Sequence, residues 1–199
     1  TGGTITGGGA GTITDAIDQD YEVTPGTYSV TETVPSGWSK TDNCQGVVVV
    51  AGQTTTCTIT NTKLGSITLI KNTIGGNDIF GFTTTGGSTL PQNIDLTTVG
   101  NTKSVIYSNV TPGTFSISET AKGGWDLTSS SCTSGTPASF TLSAGGSVTC
   151  TFLNTQKGHL IVQKTTLPAG DVTIFTILAS SSTGGTITGG GAGTITDTT

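Results

Sequence analysis

The chain has 199 residues, room for one or two domains, and only 10 % of them are charged while 31 are glycine. A formal net charge of −5, an isoelectric point near 4.5 and seven scattered basic residues argue against nucleic-acid binding and give no patch for phosphate or acidic lipid. No apolar run approaches the roughly 18 residues a spanning helix needs.

Residues 1–20 read T-G-G-T-I-T-G-G-G-A-G-T-I-T-D-A-I-D-Q-D, and residues 183–197 repeat residues 1–15 without change, an offset of 182 from position 1 to position 183. A self-similar period overrides any domain boundary drawn without it. The Thr/Ile alternation of this Gly-rich segment favours close-packed strand character. Asp15, Asp18, Asp20 and Glu22 form an acidic cluster without EF-hand spacing, read as a solvated loop rather than a calcium site.

Next comes V-T-P-G-T-Y-S-V-T-E-T-V-P-S-G-W from Val23 to Trp38, echoed by V-T-P-G-T-F-S-I-S-E-T-A-K-G-G-W from Val110 to Trp125. Each copy is a turn followed by an alternating strand. Tyr28, Val30 and Glu32 share one face, as do Phe115, Ile117 and Glu119. The face that carries an aromatic and an aliphatic side chain into a core carries a carboxylate with them, and an unpaired buried carboxylate is costly. Trp38 and Trp125 close the two echoes and read as core or joint packing.

Beyond Trp38, Cys44 precedes the apolar run Val47–Val50. An alternating strand spans Thr54–Thr60 with Cys57 inside it, and Asn61 closes it. After the Leu64-Gly65 joint, strands are expected at Ser66–Lys71, from Ile79 through Phe80 and Phe82, at Ile94–Leu96 and at Val105–Tyr107. The second echo, Cys132, Ser139–Leu142 and Ser147–Leu153 with Cys150 follow, closed by Asn154. Asn109-Val-Thr111 fits a glycosylation sequon and equally a plain turn. Gly158 repeats the joint, His159–Lys164 repeats the opening strand, and Val172–Leu178 matches the stretch from Phe80. His159 reads as a spacer.

Residues 65–157 are therefore one complete domain. Residues 158–199 are the first half of another and residues 1–64 its second half, to be completed by the next repeat or a neighbouring chain. Short strands with turn signals every 8–12 residues read as a β-sandwich. Bare sheet edges at both ends are an aggregation hazard unless neighbours cover them, so the product is a head-to-tail fibre, built from a longer tandem-repeat protein or from subunits that complement each other. A start without Met reads as a processed or excised piece.

Three residues recur in both copies: Lys71 and Lys164 ending a first strand, Glu119 and Glu32 in the echo strand, Asn154 and Asn61 ending the last strand. If first and last strands are neighbours, lysine and asparagine meet in the core. Desolvation lowers a lysine pKa and raises a glutamate pKa, and a neutral amine is a nucleophile. A neutral glutamate can hydrogen-bond the asparagine carbonyl and relay protons. The product is a Lys–Asn amide, with ammonia lost and no charge left in the core. The alternative is a Lys–Glu ion pair beside a turn asparagine, without a covalent bond.

Cys44/Cys57 and Cys132/Cys150 each lie between the tryptophan and the closing asparagine of one domain. Intradomain disulfides keep the repeat symmetry, and they suit an extracellular chain. Zinc is the rival, with only His159 to help and no C-x-x-C. No metal or cofactor is expected.

Tyr28-Ser-Val-Thr-Glu32-Thr-Val-Pro35-Ser-Gly37-Trp38 resembles the E-box of Gram-positive pilins. Gly65-Ser-Ile-Thr-Leu-Ile-Lys71 and Thr-Phe152-Leu-Asn154-Thr are similar to the ends of CnaB-type domains, also called SpaA-like or prealbumin-like. The resemblance implies an all-β fold of tandem transthyretin-like sandwiches, about seven strands in two sheets each. It implies spontaneous isopeptide bonds Lys71–Asn154 with Glu119 and Lys164–Asn61 with Glu32 as the catalytic acids. An L-P-x-T-G sorting signal and a pilin-type Y-P-K motif are not seen, so sortase assembly has no support. The expectation is a structural subunit or repeat of an extracellular filament or surface stalk, not an enzyme on external substrates. An adhesin or glycan-binding module is the alternative.

Overall fold

The computed structural model describes residues 18–87, 89–182 and, for the backbone alone, 193–195. Contacts divide the chain into two compact units, Thr1–Lys157 and Gly158–Thr199. The T-G-G-T-I-T repeats lie mostly outside the described residues, as does Asp15.

The first unit opens with four short strands: β1 (Gly26–Tyr28), β2 (Trp38–Asp42), β3 (Val47–Val49) and β4 (Ile59–Lys63). They form two antiparallel pairs, β1 with β3 and β2 with β4. The strand expected through Glu32 ends early at Tyr28, although Val30 N–H still reaches the Cys44 carbonyl. With only two strands per sheet, this segment leaves apolar side chains open. Val48 is 60 % exposed and Trp38 40 %, so the expected packing of Trp38 in a core is not met among the described residues.

Leu64 alone separates β4 from β5 (Gly65–Ile74). Gly145 N–H donates to the Lys63 carbonyl at this joint. A Cβ on Gly65 would stand 2.6 Å from the Gly146 carbonyl oxygen, so glycine is needed for the backbones to approach this closely. The domain continues with β6 (Ile79–Thr85), β7 (Asn93–Thr97), β8 (Thr102–Val110), β9 (Gly113–Glu119), β10 (Trp125–Cys132), β11 (Gly135–Thr136), β12 (Ser139–Leu142) and β13 (Ser147–Gln156). One sheet has the order β10-β13-β5-β8 and the other β11-β12-β9-β6-β7. Ile67, Leu69, Val148 and Phe152 of the first face Phe80, Phe82, Ile117 and Phe140 of the second in one buried cluster. Fully burying each such side chain contributes about 1.5–3 kcal/mol.

Strict alternation does the sorting. In β5 the buried positions are Gly65, Ile67, Leu69, Lys71 and Thr73; in β13 they are Val148, Cys150, Phe152 and Asn154. Both strands run on past the polar residue, so Lys71 and Asn154 stand within strands and not at their ends as expected. First and last strands are parallel neighbours, with Lys71 opposite Phe152 and Asn154 opposite Thr73. Parallel pairing puts the start of β5 and the end of β13 at opposite ends of the sheet, about 30 Å apart over nine residue steps.

In the second unit β14 (Phe175–Ile177) pairs antiparallel with β15 (Gly193–Ile195). The strand expected at His159–Lys164 is not formed. Leu160 and Ile161 are exposed, and no described strand pairs with them in this unit.

Candidate functional site

The alternation that buries Leu69 also buries Lys71, whose side chain is fully excluded from solvent. From the next strand of the same sheet, Asn154 is on the same face two positions along the register. Glu119 comes from the facing sheet, opposite Phe82 in the β6–β9 pairing, and its side chain is 2 % exposed. Three polar groups from three strands thus converge at one end of an otherwise apolar core.

Lys71 Nζ donates to Asn154 Oδ1 at 2.7 Å and to the carbonyl of Asn72 at 3.2 Å. Glu119 Oε2 lies 3.4 Å from the same nitrogen and has no hydrogen-bond partner. Glu119 Oε1 accepts from Asn154 Nδ2 at 2.5 Å. The carboxylate therefore faces the amide nitrogen, whereas the sequence reading placed it against the carbonyl. The Asn154 carbonyl oxygen is occupied by the Lys71 amine.

Burial pushes the Lys71 ammonium below its ordinary range, and the charge of Glu119 opposes that shift. The Phe80 ring, centred 4.2 Å from Nζ, covers the amine, with Trp125 edge-on to Phe80 at 5.2 Å. Trp125 Nε1 donates to Asp78, which also pairs with Lys122 at 2.9 Å. A cavity of about 270 Å³ runs beside the site, lined by Glu119, Thr120, Lys122, Trp125 and Asn154 among others.

This arrangement is suited to amide exchange. The two oxygens of one carboxylate address both nitrogens of such a reaction, Oε2 the attacking Nζ and Oε1 the departing Nδ2. Sequence reasoning did not identify Phe80 or the Asn72 carbonyl as parts of the site. The Ile-Phe-Gly-Phe alternation of β6 marks Phe80 as core, but says nothing of what it covers.

The second set of residues is divided between the units. In the first, Asn61 Nδ2 donates to Glu32 Oε1 at 2.6 Å, and Glu32 Oε2 is buried without a hydrogen-bond partner. In the second, Lys164 Nζ donates to the Thr165 carbonyl at 2.6 Å and stands 4.0 Å from the centre of the Phe175 ring.

Cys44 is bonded to Cys57 and Cys132 to Cys150. Cys132 and Cys150 are directly opposite in the β10–β13 ladder. Among the described residues no cluster of histidine, cysteine and acidic side chains fit for a metal is found, and no helix is long and apolar enough to cross a membrane.

A comparison with curated proteins finds no match. Among solved structures the chain is similar to the major pilin protein (T-13) from Streptococcus pyogenes serotype GAS131465, at 12 % identity and a TM-score of 0.31, over 69 % of this chain and 66 % of that one. Residues 67–156 match the family model of a prealbumin-like fold domain. That stretch coincides almost end to end with the two sheets β5 to β13, and over it the chain is similar to prealbumin-like fold domains.

Proposed function

We propose that this chain is a structural subunit or repeat of an extracellular filament or surface stalk, and that its domain at residues 65–157 locks itself with an isopeptide bond between Lys71 and Asn154. The observation that carries this reading is the buried contact of Lys71 with both Asn154 and Glu119 inside a prealbumin-like sandwich. In the reaction the neutral Lys71 amine attacks the Asn154 side-chain carbonyl carbon. Glu119 takes the proton that Nζ gives up and returns one to Nδ2; the carbon–nitrogen bond of the carboxamide breaks, and ammonia leaves. The only substrate is the chain itself, so the activity is a single self-linking turnover. Two disulfides in a low-charge chain fit a site of action outside the cell.

Intact mass measurement of the reduced protein tests this. The wild type is expected to be lighter than its sequence by one ammonia for each bond formed. Digestion is expected to yield a branched peptide joining Lys71 to Asn154. Glu119→Ala is expected to restore the sequence mass at this site; a wild-type mass equal to the sequence mass rejects the reading.

A further inference from the structure

The two ends of this chain carry complementary halves of a second sandwich. In residues 18–64, β2 pairs with β4 with Trp38 opposite Lys63, as β10 pairs with β13 with Trp125 opposite Gln156. β1 pairs with β3 as β9 pairs with β12. The disulfides match, and so do the Asn61–Glu32 and Asn154–Glu119 hydrogen bonds. The N-terminal segment thus contains the acid and amide of a site. One carboxylate oxygen, Glu32 Oε2, is buried and unbonded. In the complete domain the corresponding oxygen faces the lysine amine.

The C-terminal unit contains the other half. Phe175, which corresponds to Phe82, stands in the antiparallel pair of β14 and β15. Lys164 donates to the carbonyl of the next residue and lies over an aromatic ring, as Lys71 does. Leu160, Val162 and Lys164 correspond to Ile67, Leu69 and Lys71. Ile67 and Leu69 are fully buried, whereas Leu160 is 81 % exposed and Val162 47 %. An apolar segment that bears Lys164 is left open to solvent.

We infer that Lys164 of one copy of this chain bonds to Asn61 of a second copy, with Glu32 of that second copy as the proton relay, so that successive copies are joined by covalent bonds. This rests on the self-linking chemistry proposed for Lys71 and Asn154. The register shows why the two residues come from different copies. Lysine and asparagine strands of the complete domain are parallel neighbours. To repeat that register within one chain, His159 would have to start beside Thr54. Lys157 to His159 span at most ~10 Å. They begin at the Gln156 end of the sheet, whereas Lys63 sits about 30 Å away beside Gly145 at the other end. The occupant that fits each exposed half is therefore the opposite half of another copy. The Lys164 amine forms a bond to the Asn61 side-chain carbonyl carbon, the Asn61 carbon–nitrogen bond breaks, and one ammonia leaves per junction.

Two full-length variants, Lys164→Ala and Asn61→Ala, test this when mixed. Each keeps one reactive half, so neither links alone. The mixture is expected to give a covalent dimer that survives reduction and denaturation. Its mass should be one ammonia below the sum of its parts, with a branched peptide joining Lys164 to Asn61. Adding Glu32→Ala to the Lys164→Ala partner is expected to abolish the dimer. A mixture that stays monomeric overturns the inference. If each monomer still lacks the ammonia of the Lys71–Asn154 bond, the failure is confined to the junction; if that loss is also missing, the self-linking reading falls with it.

Discussion

Lys71 is the residue on which the chemistry turns, because its charge and its burial conflict. An ammonium in this core is stabilised by Glu119 and Asn154 but has lost its water, and the net result is a depressed pKa. That makes a prediction for an unlinked form. In Glu119→Gln the bond is not expected to form and the opposing carboxylate charge is gone. The native state then binds fewer protons at Lys71 than the unfolded chain does. Stability of this variant should rise with pH from the depressed native pKa toward the ordinary lysine value, and level off above it. Urea denaturation between pH 7 and 10 reads this out. With its lysine converted to the proposed amide, the wild type should show no such rise from this residue; equal slopes in the two proteins would contradict the assignment. At the surface, Lys122 holds the Asp78 carboxyl below its usual range.

At the level of elements, β13 is the strand that holds the domain together. It lies between β5 and β10, is hydrogen-bonded to both, and carries Asn154 for one and Cys150 for the other. The Cys132–Cys150 disulfide closes an 18-residue loop within an existing antiparallel ladder. Replacing both cysteines with alanine in the Glu119→Gln background is expected to lower stability by about 3 kcal/mol through loop entropy. Chemical denaturation followed by fluorescence measures this. The β10–β13 pairing should persist, because the ladder runs from Trp125 to Cys132 independently of the sulfur bridge. The segment His159–Lys164 has the same alternation as β5, but no described strand of its own unit pairs with it, and Leu160, Ile161 and Val162 stay exposed. A strand needs a neighbour to satisfy its backbone groups, and propensity does not supply one.

For the whole molecule, the parallel arrangement of first and last strands governs how load is carried. Tension applied at Gly65 and Gln156 shears β5 against β13, whose neighbouring residues are far apart in sequence. A bond between Lys71 and Asn154, separated by 83 positions, would take most of the domain out of the loaded path. Single-molecule pulling is expected to show an extra contour length of roughly 280 Å in Glu119→Gln relative to the wild type, from 83 residues at ~3.4 Å each. Equal extensions would mean that the wild-type domain unfolds throughout. By the same reasoning, the Lys164–Asn61 bond inferred between copies would be a second place that resists stretching.

The amino-acid sequence by itself determined which side chains share a face. Period-two alternation sends Lys71 inward with Ile67 and Leu69, and Asn154 inward with Val148, Cys150 and Phe152, whatever the partner strands are. The duplicated echo likewise singled out Glu32 and Glu119, and the place of each cysteine pair between the tryptophan and the closing asparagine of its domain singled out the disulfides. What alternation leaves undetermined is adjacency. Only the tertiary structure made β5 and β13 parallel neighbours, set Glu119 against the amide nitrogen, and placed Phe80 over the amine. These contacts join residues from distant strands, and a pattern with a period of two carries no information at that range. Local sterics set the direction in which each side chain points, while the packing of two whole sheets selects what it meets.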